Sequence, residues 1–113
     1  MGLRYNYTMN KANIRIPKTK IAGFCKRWYV SEFALFGSVL RPDFPPDSDV
    51  DIMLSFLPDA HITLFDMARM QEELQDIFKR EVDLLSKRGV EHSRNYLRRK
   101  NILNSMQVIH VAR

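Results

Sequence analysis

The sequence predicts an α/β domain of the α+β kind, a small mixed β-sheet of about three strands flanked by helices. Three observations carry that expectation. Apolar residues recur at helical spacing in two separate stretches, Ile21, Phe24, Cys25 and Trp28, then Leu64, Met67, Met70, Leu74, Ile77 and Phe78. Three short apolar runs of strand length, at residues 33–36, 49–56 and 82–85, stand between and after them. A chain of 113 residues with a 45% hydrophobic fraction has enough for one compact core and no room for a second domain.

Residues 1–16 are polar and mixed, with Asn6, Asn10 and Asn13 and no period, and read as an N-terminal extension to a domain over 17–113. Pro17 suits a first helical turn, and the following apolar spacing predicts a helix ending near Tyr29. Phe33-Ala34-Leu35-Phe36 is continuously apolar and stops at Gly37, as a strand buried on both faces would. Pro42, Pro45 and Pro46 with Asp43 and Asp47 allow at most one helical turn and a loop between Val39 and Ser48. A second strand runs from Asp49 to Phe56, closed by Pro58-Asp59. A long amphipathic helix follows on the Leu64 to Phe78 stripe, with Arg69, Glu72, Glu73 and Lys79 off it. Val82-Asp83-Leu84-Leu85 is the third strand, and Ser86 to Gly89 its turn. Ser93 is a plausible N-cap for a last helix carrying Tyr96, Leu97, Ile102 and Leu103. Val108 to Val111 is an apolar tail to which no form is assigned. The expected layout is thus three helices around the sheet.

Eighteen Lys and Arg against thirteen Asp and Glu give a net charge of +5, which would attract a nucleotide, RNA or an acidic protein face. A solvated basic surface explains it equally well. The run Arg98-Arg99-Lys100 has no interleaved aromatic for base stacking, so direct nucleic-acid binding is the weaker reading. Cys25 alone cannot form an intrachain disulfide, and its spacing from Ile21 and Trp28 suggests core packing, which fits a reducing cytoplasm. The first residues contain no secretory h-region and no apolar run nears the roughly 18 residues of a membrane span, so neither export nor membrane insertion is expected.

The chemistry concentrates in a few positions. Gly37-Ser38 is followed, after ten residues, by Asp49-Val50-Asp51, and Asp83 sits on the third strand candidate. In a strand, residues two apart share a face, so Asp49 and Asp51 would aim together while Val50 and Ile52 face away. Carboxylates so grouped favour a hard cation such as magnesium, and a metal pair roughly 3.5 to 4 Å apart stabilises both oxygens of an in-line phosphoryl displacement. Asp51 and Asp83 each stand between apolar neighbours, where an unpaired charge is costly. Pairing of Asp83 with Arg80 or Lys87 at a strand end is an equally good structural account of that residue. Gly37 would let a phosphate lie against the backbone and Ser38 could bond a phosphate oxygen, although a strand end and a turn cap need the same two residues. Arg41 could neutralise phosphate or simply be solvated. His61, His92 and His110 are too scattered for a local zinc motif, a Walker-type loop is impossible with glycines only at 2, 23, 37 and 89, and Gly37-Ser38-Val39 lacks the second glycine of a nucleophile elbow.

Gly37-Ser38, the ten-residue gap, Asp49-Val50-Asp51 and the later Glu81-Val82-Asp83-Leu84 resemble the signature of the DNA polymerase beta-like nucleotidyltransferases, and in particular their minimal (MNT) group. The likeness runs from about Ile16 to the C-terminus. It implies a nucleotidyltransferase fold in which Gly37 and Ser38 hold the triphosphate of ATP, Asp49 and Asp51 ligate two Mg²⁺ ions, and Asp83 ligates the catalytic ion and helps deprotonate the acceptor hydroxyl. Arg41 matches a basic position common after the Gly-Ser pair, whereas Pro42 stands where glycine is usual. The group's members are typically antitoxins of the MntA type paired with HEPN-domain ribonuclease toxins. The resemblance therefore implies an enzyme that moves AMP onto a toxin tyrosine within a hetero-oligomeric complex. The alternatives are an antitoxin that inhibits by binding alone, and a nucleotidyltransferase for a small molecule such as an aminoglycoside, although those enzymes usually carry a further helical domain.

Overall fold

A computed structural model of the chain describes residues 14–44 and 47–112. Within them the order is α1 (Lys18–Arg27), β1 (Val30–Phe36), a short 3₁₀ helix (Gly37–Leu40), β2 (Val50–Phe56), α2 (Leu64–Phe78), β3 (Val82–Ser86), α3 (Lys87–Glu91), α4 (Tyr96–Ser105) and β4 (Gln107–Val111). The expected mixed sheet is there, but with four strands among the described residues, ordered β3-β2-β1-β4. β1 is antiparallel to β2 and β4, and β2 is parallel to β3. The fourth strand is the tail from Val108 that the sequence left unassigned. Among the described residues the helices number four besides the 3₁₀ turn, because Ser86, expected in a turn, caps α3 by accepting the Gly89 N–H at 3.0 Å.

Alternation along the strands divides the apolar side chains into two cores. Phe33, Leu35, Val50, Ile52, Leu54 and Val82 pack under α1 and α2, where Phe24, Met70 and Leu74 are fully buried. Ala34, Phe36 and Met53 face the other way, beneath α3 and α4, with Val90 and Ile102. β1 is therefore covered on both sides, as its unbroken apolar run predicts. Cys25 lies in the larger core, and burial pushes its thiol up to about 12, so it is a packing residue. Ile14 and Ile16, the described end of the expected extension, also pack against that core. Residues 1–13 of it lie outside the described residues, as do Pro45 and Pro46 of the proline-rich loop.

Helix ends follow local rules with some surprises. Pro17 is the N-cap of α1, one residue outside the helix it was expected to begin. A capping box joins Thr63 and Asp66 at the start of α2. The α4 cap is Asn95, whose side chain accepts the Arg98 N–H at 3.0 Å, whereas Ser93 accepts the Asn95 N–H one step earlier. Glu73, off the apolar stripe, binds Arg27 and accepts from Trp28 Nε1 at 3.0 Å, tying α2 to α1. Gln71 and Gln75 bond the Val82 carbonyl and N–H, which fastens the start of the edge strand β3 under α2. Lys79 ends α2 in the left-handed conformation (φ 60°), where a side chain is strained and glycine is not. Lys79→Gly is expected to stabilise the protein by about 0.5–1 kcal/mol and raise the calorimetric midpoint by a few degrees; an unchanged or lowered midpoint would contradict it.

Candidate active site

The sheet register brings the predicted acids together at one end. Phe36 on β1, Asp51 on β2 and Asp83 on β3 are lateral partners in a single row. Val50 and Ile52, either side of Asp51, are fully buried in the larger core, so Asp51 belongs to the α4 face with Met53, as the two-residue period requires. Asp49 lies one residue before β2 rather than in it, and is exposed.

Gly37 and Asp51 fit each other. Gly37 follows β1 with φ +74°, and a Cβ placed there would stand 2.3 Å from Asp51 Oδ2. The missing side chain thus makes room for the carboxylate itself. The Ser38 backbone N–H bonds that same carboxylate. Val39, fully buried, anchors the turn, while Gly37 is exposed and Ser38 half-buried at its rim. Arg41 closes the turn through its N–H to the Ser38 carbonyl at 2.9 Å, and its guanidinium pairs with Asp43 at 3.0 Å, both exposed.

Asp51 is the electrostatic centre. Burial pushes its carboxyl up to about 6, helped by the negative charges of Asp83 and Asp49; Arg98 and the Ser38 N–H act in the opposite direction. Asp83 is exposed, contrary to the costly burial its apolar neighbours suggested, because β3 is the edge strand. The cations proposed as its structural partners are engaged elsewhere: Arg80 donates to the Ser48 carbonyl at 3.1 Å and lies over the Phe44 ring, and Lys87 stands 3.9 Å from Glu32. Arg80 thereby ties the loop that delivers Asp49 to the start of β3, a positioning role that the sequence reading missed.

Arg98 was missed as well. It was read as one member of a basic run, yet it precedes Ile102 by four residues, and Ile102 is buried against the Asp51 face. That i, i+4 relation was the available signal. Among the described residues no three His, Cys, Asp or Glu side chains already close on a common point as a metal site. The donor set nonetheless suits a hard cation in kind: all are carboxylates, and the two outer ones are exposed while their charges bear on the half-buried Asp51.

The nucleotidyltransferase domain family model matches residues 18–109. A protein of Methanocaldococcus jannaschii, named as a candidate protein adenylyltransferase, is 32% identical over 74 residues, which are 66% of this chain and 77% of its own. Of the solved structures, a candidate minimal nucleotidyltransferase is 29% identical with a TM-score of 0.59, over 83% of this chain and 90% of that one. A toxin-antitoxin complex with AMP-PNP aligns at 15% identity and a TM-score of 0.65, over 87% and 76%. A complex of tri-AMPylated Shewanella oneidensis HEPN toxin with MNT antitoxin aligns at 14% and 0.56, over 84% and 70%. These last two likenesses are of fold.

Proposed function

The chain belongs to the nucleotidyltransferase domain family, and from that membership we propose that it is an antitoxin that transfers AMP from ATP to a tyrosine of a HEPN ribonuclease toxin, silencing it. The observation that carries the reading is the Gly37–Asp51 fit, which sets one carboxylate at the turn and, through the register, beside Asp83. A nucleotidyltransferase needs its acids beside the nucleotide's phosphates, and a carboxylate seated against this turn supports that reading. The toxin-antitoxin neighbours, one with AMP-PNP and one with an AMPylated toxin, support ATP as donor and a HEPN protein as acceptor.

In this reading Gly37 and Ser38 border the triphosphate, with Arg41 at the rim, and Asp49, Asp51 and Asp83 hold two magnesium ions. Bound magnesium would supply charge neutralisation at the attacking and leaving oxygens. The tyrosine oxygen forms a bond to the α-phosphorus, the α–β bridging P–O bond breaks, and pyrophosphate leaves with its electron pair. Asp83, exposed at the sheet edge on the acceptor's side, takes the phenolic proton.

Within the Leu64 to Phe78 stripe, Met70 and Leu74 are spent in the core. Leu64 and Phe65 at the helix start remain 89% and 82% exposed, an apolar pair of the kind a partner covers. Among the described residues no helix is long and apolar enough to cross a membrane. The test is co-expression with a HEPN-domain protein, co-purification, and intact mass with ATP and Mg²⁺. AMP-sized increments that vanish in Asp49→Asn and Asp51→Asn are expected. Increments that persist in both variants would remove the site, and binding with no increment would leave a purely covering antitoxin.

A further inference from the structure

Beyond Asp83 lies a pocket that the proposed reaction has not used. It opens between β3, α3 and α4, lined by Leu84 and Leu85 next to Asp83, by Ser86 and Ser93, and by Arg98 and Arg99. Arg99 is held by a bond to the Ser93 carbonyl at 2.9 Å and lies 5.3 Å from the Tyr96 ring centre. Arg98 is exposed on the first turn of α4, and its charge reaches Asp51. The surrounding segment 87–100 carries six Lys and Arg (Lys87, Arg88, Arg94, Arg98, Arg99, Lys100) against the single acid Glu91. A pocket lined by two arginines and two serines has the residue types of a phosphate site.

Which phosphate it takes follows from the order of parts across the sheet. The Gly37-Ser38 turn ends β1, Asp51 is on the next strand, and Asp83 is on the edge strand, with the pocket alongside it. In-line displacement puts the leaving pyrophosphate and the attacking hydroxyl on opposite sides of the α-phosphorus. With the triphosphate at the turn, the acceptor enters on the Asp83 side, where the pocket is.

Resting on the adenylyltransferase reading, we propose that Arg98 and Arg99 bind the phosphodiester of an acceptor that already carries AMP, so that this pocket serves the second and later additions. A toxin that takes several AMP groups, as the Shewanella oneidensis toxin of the structural neighbour does, presents such a phosphodiester once the first group is on. In that step the oxygen of a ribose hydroxyl of the attached AMP bonds to the α-phosphorus of a new ATP. The α–β bridging P–O bond breaks, pyrophosphate leaves with the electron pair, and the hydroxyl proton passes to Asp83. The first addition, to an uncharged tyrosine, has no phosphate for the pocket to hold.

The test uses the full chain with AMP-PNP and Mg²⁺ saturating, titrated calorimetrically with N-acetyl-O-(5′-adenylyl)tyrosinamide. Arg99→Ala is expected to weaken binding of this ester about tenfold or more and Arg99→Lys to recover part of it, while affinity for AMP-PNP stays within about twofold. Arg99 belongs to neither core and alanine is a good helix former, so the fold should persist, as circular dichroism will check. Absence of ester binding by the unaltered chain, equal binding by the variant, or an equal loss for AMP-PNP would each overturn the proposal. Failure of the unaltered chain to bind AMP-PNP would instead remove the adenylyltransferase reading beneath it.

Discussion

Gly37→Ala is expected to cut AMP transfer by about a hundredfold or more, the scale on which a misplacement of about 1 Å acts, while leaving a folded protein. Two costs combine. The backbone there has φ +74°, where any side chain costs about 1–2 kcal/mol. The added Cβ would also meet Asp51 Oδ2 at 2.3 Å and Cγ at 3.3 Å, so the carboxylate must turn away, breaking its bond to the Ser38 N–H. The separation of the two costs is measurable. In an Asp51→Ala background the nearest Asp51 atom left is Cβ at 3.6 Å, an ordinary contact, so adding Gly37→Ala should then cost only the backbone strain. Denaturant unfolding of the four proteins gives the coupling between the two positions, expected at about 1 kcal/mol or more. Purely additive costs, or transfer by Gly37→Ala near the original rate, would show that the glycine does not seat the carboxylate.

That coupling explains what the sequence made legible and what it concealed. The end of β1 before Gly37 and the strand positions of Asp51 and Asp83 were readable because each follows a short-range rule: a glycine at the end of an apolar run, and a period of two along a strand. The reason assigned to Gly37 was incomplete, since a contact across the sheet between residues 37 and 51 leaves no local trace. The apolar neighbours of Asp83 suggest a buried charge, but an edge strand lacks half the surroundings of a central one, and strand order is a tertiary fact. β4 was unassigned for the same reason: five residues become a strand only by pairing with β1. The Leu64 to Phe78 helix is legible with its observed bounds because its stripe runs for four turns and must be buried wherever the helix lies. Arg98 was hidden in a basic run and emerges only once Ile102 shows which side of α4 faces the acids.

Asp51→Asn should abolish transfer and, without metal, stabilise the protein. The Asp51 carboxyl is raised from 3.8 to about 6, first by burial, then by Asp83 and Asp49. Between those values the folded protein holds a proton that the unfolded chain has released, so stability falls as pH rises from about 4 to about 6 and the penalty is fully present above that. A shift of this size in a wholly buried group would amount to about 3 kcal/mol, but Asp51 is only half-buried and solvent screening reduces the expectation to on the order of 1 kcal/mol. Urea unfolding in EDTA at pH 4, 5, 6 and 7.5 should therefore show declining stability in the natural protein from this group, and a flatter profile with greater stability at pH 7.5 in Asp51→Asn. Millimolar Mg²⁺ should flatten the natural profile and leave the variant's unchanged, because a cation among the acids does at neutral pH what the proton does at pH 4. A variant less stable than the natural protein at pH 7.5, or a natural profile indifferent to Mg²⁺, would mean that the acids are not strained against one another. The expected pattern is that of a site in which stability is given up for function: the carboxylate that the fold accommodates least well is the one the chemistry needs charged.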